Sequence, residues 1–376
     1  MSTWNKIPDG KYCLITLAKN GYMDTRRNFI RKAALSAFIL AQPGLLSCRG
    51  SHEKENIKDP YFRIRGWIVS WEDNQQLDWA KLAHDAGINT ISTDVTPAVK
   101  ASREWQQFVA DCRKYNIQLE HDQHAMGWLL PRNLFEKDPA MFRMNEKGER
   151  VADFNCCAHS QPALDIITEN ALKDAEINPS TSNRYFFWLD DGGAKCFCPL
   201  CKPYSDSDQA LIIENAMIKA LRKRNPAATL AHLAYQRTIK APETVKPEEG
   251  IFLQFAPFQR TWDYPISDPN AQRAGMNIKN GDYLQHLDAN LAVFPVESAE
   301  ILEYWLDVSL YSDWKKPAVK LPWKRDIFLK DIAVYAKRGI RNIVTFAVYI
   351  DREYEKNYKD ISFLQEYGND LKNYGA

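Results

Sequence analysis

The stretch Trp188-Leu-Asp-Asp-Gly-Gly-Ala-Lys-Cys-Phe-Cys-Pro-Leu-Cys201 sets two adjacent carboxyls, Asp190 and Asp191, just ahead of three thiols, Cys196, Cys198 and Cys201. Adjacent carboxyls suit general acid/base work, because each negative charge raises the proton affinity of its neighbour and keeps an acid protonated near neutral pH. The bland alternative is a polar turn in which Asp190 bonds backbone amides. Three thiols within six residues, with Cys156-Cys157 upstream as a source of a fourth and His159 as a substitute, suit a tetrahedral structural zinc. Disulfides are the rival: Cys198 with Cys201, and Cys196 with Cys156 or Cys157. Either outcome pins the loop that carries Asp190 and Asp191. A catalytic thiol is disfavoured, since no single cysteine stands apart with a histidine base.

Such a site must be positioned by a scaffold. From Arg63 onward short apolar runs alternate with helical patterns, which is the mark of repeated βα units. Strands are expected at 64–70, 90–95, 118–124, 184–190, 229–235, 251–256, 307–312 and 342–350. Helices are expected at 78–86, 105–115, 163–176, 208–224, 283–305 (broken at Pro295) and 326–337, with 291–296 as an alternative strand. This is an α/β chain best read as a single (β/α)8 TIM barrel with loop insertions over residues 63–376. A doubly wound open sheet is the runner-up, and no Gly-rich dinucleotide turn follows its first strand. In a barrel, chemistry sits at the C-terminal ends of the strands, and Asp190-Asp191 ends the fourth.

Other residues at those ends suggest substrate contacts. His121 and His124 flank Asp122 on the third strand, where alternation sends them to opposite faces. Trp128, Tyr235, Arg260 and Trp323 are candidate sugar-binding groups, although a large aromatic more often supplies core area. Glu303 is the reserve second carboxyl, with a solvated helical charge as its alternative. Formal net charge is +1, from 49 basic and 48 acidic side chains, so no overall field favours nucleic acid or an anionic membrane surface.

The first residues read as an address. Thr25-Arg-Arg-Asn-Phe-Ile-Arg-Lys32, the apolar run 33–41 and Leu45-Leu-Ser-Cys48 follow the order of an export signal, too short to span a bilayer as a helix. The paired arginines resemble a twin-arginine signal and 45–48 a lipobox that would lipidate Cys48. Met23 is an alternative start, and 49–62 reads as a linker.

The runs Glu120-His-Asp-Gln-His-Ala-Met-Gly-Trp-Leu-Leu-Pro-Arg132, Phe142-Arg-Met-Asn-Glu-Lys-Gly-Glu-Arg150, the acidic pair with its cysteines, and Leu230-Ala-His-Leu-Ala-Tyr-Gln236 resemble the domain-of-unknown-function family 4838 over about 63–367. The resemblance implies a TIM-barrel glycoside hydrolase, since the family is grouped with such enzymes and includes relatives of endo-β-N-acetylglucosaminidases. Some hexosaminidases place consecutive acids at the end of the fourth strand, one orienting the substrate acetamide and one acting as acid; Asp190 and Asp191 occupy that place. The expected protein is an exported lipoprotein hydrolase, hexosaminidase-like and retaining, with substrate assistance as a variant of that mechanism, acting on a glycan. It carries at most one structural zinc and no organic cofactor, and it touches membrane only through Cys48. The alternative is a surface lipoprotein that binds carbohydrate without cleaving it. A catalytic zinc is disfavoured, because four cysteines leave no open coordination position.

Overall fold

The computed structural model describes residues 59–375 apart from Asp94 and, upstream, an antiparallel strand pair, Asn5–Lys6 with Tyr12–Cys13. The chain divides into two units, Met1–Asn56 and Ile57–Ala376. The paired arginines, the apolar run and Cys48 lie outside the described residues. No helix among the described residues is long and apolar enough to cross a membrane.

The second unit is a (β/α)8 barrel. Its strands are β1 Ile64–Ile68, β2 Thr90–Ser92, β3 Gln118–Glu120, β4 Asp122–His124, β5 Arg184–Trp188, β6 Thr229–Ala234, β7 Ile251–Phe255, β8 Glu300–Glu303 and β9 Asn342–Phe346. Every pairing between them is parallel, in the order β3-β2-β1-β9-β8-β7-β6-β5-β4. The two ends of that order, β3 and β4, are separated by His121 alone. They are halves of one strand, and the circle of eight closes on it.

Outer helices α1 Trp79–Ala86, α2 Arg103–Lys114, α3 Gln161–Ile177, α4 Asp206–Arg224, α5 Asn280–Leu291, α6 Arg325–Lys337 and α7 Ser362–Lys372 cover the strands. Local chemistry sets their ends. In α4, Ser205 and Asp208 form a reciprocal capping box, and Arg222, Lys223 and Arg224 complement the dipole in the last turn. The β6-to-β7 crossover has only a 3-10 turn, Gln236–Thr238.

Two expected elements differ. The seventh barrel strand is Glu300–Glu303, and residues 308–311 form a short helix capped by the Asp307 side chain. The helix expected at 283–305 ends at Leu291, because Pro295 lacks an amide hydrogen and residues 292–299 turn back toward β8; 291–296 is not a strand. Apolar composition identified a buried segment here, and the period over so few residues did not distinguish strand from helix.

The barrel interior holds a polar layer. The Arg184 guanidinium reaches Glu120 Oε1 at 3.2 Å and Glu300 Oε2 at 2.7 Å, and it lies 4.5 Å from the Phe252 ring centre. Gln254 donates to Glu300 Oε1 at 2.9 Å and to Asp122 Oδ2 at 3.0 Å, and accepts from Trp188 Nε1 at 2.8 Å. Burial pushes Glu120 and Asp122 above the usual carboxylate range. At Glu120 the charge of Arg184 opposes that push, whereas at Asp122 the neighbouring Glu120 and Glu300 add to it.

Candidate active site

At the C-terminal mouth of the barrel a cavity of about 420 Å³ opens between the ends of β4, β5, β6, β8 and β9. Asp191 lines it from the turn after β5, His124 from β4, and Tyr235 from the end of β6. Strand alternation explains the β8 contribution: Leu302 and Tyr304 face the cavity, and Glu303 faces away toward α6. A band of rings forms the wall. Tyr235 and Phe258 centres are 5.4 Å apart, Phe258 and Tyr304 5.1 Å, and Tyr304 stacks on Phe346 at 5.2 Å. Trp314, 59% exposed, completes the rim, and Tyr349 donates to its carbonyl at 3.1 Å.

The second carboxyl in this cavity is Asp307, which the sequence reading placed in a strand. It caps the 308–311 turn: its Oδ1 accepts the Ser309 N–H at 3.1 Å and the Ser309 hydroxyl at 2.5 Å. Burial pushes its carboxyl up to about 6, against the opposing pull of the Ser309 hydrogen bonds. An Asp two residues before Ser is a cap signal visible in sequence; its burial and its place in the same cavity as Asp191 need the fold.

Asp190 and Asp191 part company at the strand end. Asp190 Oδ2 accepts from Arg132 Nη2 and from the Asn155 N–H, and its own N–H donates to Asn155 Oδ1 at 2.8 Å. Asp190 therefore holds the loop. Asp191 is exposed in the cavity, where Gln236 Nε2 approaches its Oδ1 at 3.4 Å. Gly192 makes this divergence possible with φ of +60°, and a Cβ on Gly193 would meet Asn155 Nδ2 at 2.9 Å. Two non-glycine rim residues, Gln236 at φ +45° and Trp314 at +54°, also adopt the left-handed region, a strain that clusters at functional sites.

His124 is fixed by its carbonyl partner. Its Nδ1 lies 2.5 Å from Leu189 O, and a carbonyl only accepts, so Nδ1 carries the hydrogen. That leaves Nε2 as the nitrogen turned away from Leu189, an acceptor whenever it carries no hydrogen.

Several expected contacts fall elsewhere. Arg260 is fully buried, paired with Glu303 at 3.2 Å and with Asp331, and does not reach the cavity. Glu303 is equally buried, accepting from Trp262 Nε1 at 2.9 Å and Tyr335 hydroxyl at 2.6 Å; it is neither a solvated charge nor a cavity carboxyl. Trp323 packs on Phe328 and donates to Glu366 at 2.8 Å in the outer helical layer. His121, between β3 and β4, lies 3.0 Å from Thr93 O, and burial pushes its ring down to about 4. Trp128 borders a separate cavity of about 410 Å³ with Gln123, Asn170 and Ile177. Glu120 is part of the interior layer.

The thiols also sort. Cys157, Cys196, Cys198 and Cys201 place their sulfurs within 4.8 Å of one another, whereas Cys156 is buried outside that group and His159 Nδ1 stands 3.2 Å from Cys201 Sγ. Cys112, Cys156, Cys157, Cys196, Cys198 and Cys201 are all free.

The model of the Domain of unknown function (DUF4838) matches residues 46–290, well over half of the chain. The chain belongs to the DUF4838 family. The matched span runs through β7 and most of α5, so it includes the Asp190-Asp191 turn, the cysteine cluster and Tyr235 of this DUF4838 member. No curated protein matches the chain. Solved structures with partial likeness include a β-galactosidase from the psychrophilic Marinomonas ef1, with TM-score 0.42, 9% identity, and coverage of 75% of this chain and 53% of that one. The DUF4838 chain thus spans about half the length of that enzyme. An α-amylase from Lactobacillus plantarum has TM-score 0.43 and 10% identity, covering 81% of this chain and 79% of the other. The GH20 catalytic modules of the pneumococcal exo-β-D-N-acetylglucosaminidase give TM-score 0.41 and 10% identity, covering 83% and 84%.

Proposed function

We propose that this DUF4838 protein is a glycoside hydrolase whose reacting carboxyls are Asp191 and Asp307. The observation that carries this reading is the convergence of two carboxyls on one ring-walled cavity at the strand ends of a TIM barrel. Glycosidic cleavage needs a proton donor at the leaving oxygen and a second carboxyl for the oxocarbenium centre or the attacking water. Asp307, held up to about 6, supplies the donor, and Asp191 at the exposed rim supplies the second group. Tyr235, Tyr304 and Trp314 line the cavity and supply ring surface for pyranose C–H groups, and His124 offers an acceptor to a sugar hydroxyl. Asp190 acts as a positioning residue through Arg132 and Asn155. Incubation with a panel of host and plant glycans, with products read by mass, tests the activity; a panel in which glycans bind and none is cleaved would leave a carbohydrate-binding protein instead.

Trp314→Ala should weaken glycan binding by about 0.5–1.5 kcal/mol, the contribution typical of one aromatic face, and raise KM more than it lowers kcat. Calorimetry on a cleavage-deficient variant measures it. An unchanged Kd would remove Trp314 from the subsite.

Export is part of the same proposal. With the twin arginines, apolar run and Leu45-Leu-Ser-Cys48 in that order, the protein reaches its glycan as a lipid-anchored surface or periplasmic enzyme. Cys48→Ala should move it from the membrane fraction to the soluble one, and wild-type protein found soluble in the cytoplasm contradicts this.

A further inference from the structure

Four sulfurs meet where the long β4-to-β5 insertion touches the loop after β5. Cys157 Sγ lies 3.7 Å from Cys198 Sγ and 3.7 Å from Cys201 Sγ, and Cys196 joins them within the same 4.8 Å span. A disulfide would bring two sulfurs to about 2.05 Å. A tetrahedron of Zn–S bonds of about 2.3 Å has edges of about 3.8 Å, which is the spacing of the Cys157 contacts.

The surroundings suit thiolates. Cys196 Sγ accepts the Met144 N–H at 3.2 Å and the Cys198 N–H at 3.5 Å, and Arg150 Nη1 approaches it at 3.9 Å. All four cysteines are buried. Binding a divalent ion displaces the thiol protons and leaves two net negative charges on the unit, which these donors offset. Gln209 of α4 seals the loop: its Oε1 accepts the Cys196 N–H at 2.9 Å, and its Nε2 donates to Cys196 O at 3.0 Å and Cys201 O at 2.9 Å.

We propose that Cys157, Cys196, Cys198 and Cys201 bind one zinc ion as a closed structural site, and that this site holds Asn155 against Asp190. Asn155 stands two residues before Cys157. It accepts the Asp190 N–H, donates its own N–H to Asp190, and donates its side-chain amide to Ala194 O at 3.3 Å. The ion therefore ties the insertion to the loop at both ends of the Asp190–Cys196 stretch and fixes where Asp191 enters the cavity. Four thiolates leave no open position, so the metal takes no part in the reaction itself.

The test is metal analysis of the full chain purified from a medium supplied with zinc, iron and cobalt, coupled to thiol mapping and hydrogen exchange. About one zinc per chain is expected, with four thiolates protected from alkylation until a strong chelator is added. Cys198→Ser should lose the metal, while Cys112→Ser, whose thiol lies on α2 outside the cluster, should keep it. Cobalt-grown wild-type protein should show tetrahedral thiolate absorption, a readout independent of whether a variant folds. On chelation, amides at 153–157 and 190–194 should exchange faster while those at 342–346 do not. Zinc-free protein with these cysteines joined as disulfides, or iron in the same four positions, would overturn the site. Zinc removal with unchanged exchange at 153–157 and 190–194 would overturn the clamp.

Discussion

Asp191→Asn and Asp307→Asn are each expected to lower turnover of a cleaved glycan by about a hundredfold or more, the loss typical of removing a general acid or base, with glycan binding nearly intact. Both side chains line the same cavity, and an amide keeps each one's size while ending proton transfer. The two act as a unit, so the double variant should fall little further than the worse single one. pH separates their roles. Asp307 must be protonated to donate, and burial holds it up to about 6, so kcat/KM should decline as pH rises through that value. Asp307→Asn should lose that limb along with most of the rate. Asp190→Asn should act differently, loosening the contacts with Arg132 and Asn155 and lowering kcat through misplacement of Asp191. Near-wild-type rates in both Asp191→Asn and Asp307→Asn would move the chemistry out of this cavity.

The second large effect is on stability. Arg184→Met should cost about 3–5 kcal/mol in denaturant unfolding, because it leaves Glu120 and Glu300 buried without their counter-charge. The sign with pH follows from the interior carboxyls. Glu120 is already raised by burial, and losing Arg184 raises it further above its unfolded value. A carboxyl raised in the folded state binds its proton more tightly there than in the unfolded chain, so stability is present at low pH and lost as pH rises. The variant's deficit should therefore be smaller at pH 5 than at pH 8. A deficit below about 1 kcal/mol at both pH values would show that the pair is not held as a dry ion cluster.

Much of this arrangement is legible before any fold is known, because it follows from local periodicity. The βα alternation places seven of the eight barrel strands, and the Asp-Asp-Gly-Gly turn falls at the end of the strand Arg184–Trp188 as its pattern requires. The thiol spacing also singles out Cys196, Cys198 and Cys201. What fails is information that only non-local packing carries. Glu300–Glu303 is four residues long, too short for alternation to distinguish it from the end of a helix, so Asp307 reads as part of a strand and Glu303 as a reserve catalytic carboxyl or a solvated helical charge. The same four residues decide orientation: with Leu302 toward the cavity, Glu303 must point at α6 and meet Arg260. Arg260 and Trp323 read as exposed binding groups because a polar or amphipathic side chain shows no sign in sequence of a buried partner; Asp331, which meets Arg260, is 71 residues away. Asn155 and Arg132 were missed for the same reason. Each acts through Asp190, and their contacts span 35 and 58 positions.

Hydrolysis of a glycosidic bond in this cavity is tested by reaction in heavy-oxygen water. A glycan that binds the wild-type protein is incubated in that solvent and the products are weighed. Cleavage is expected, with one solvent oxygen at the newly freed anomeric carbon, and about a hundredfold less of that product from Asp191→Asn over the same interval. A bound glycan that remains intact, or a product without solvent oxygen at that carbon, contradicts it.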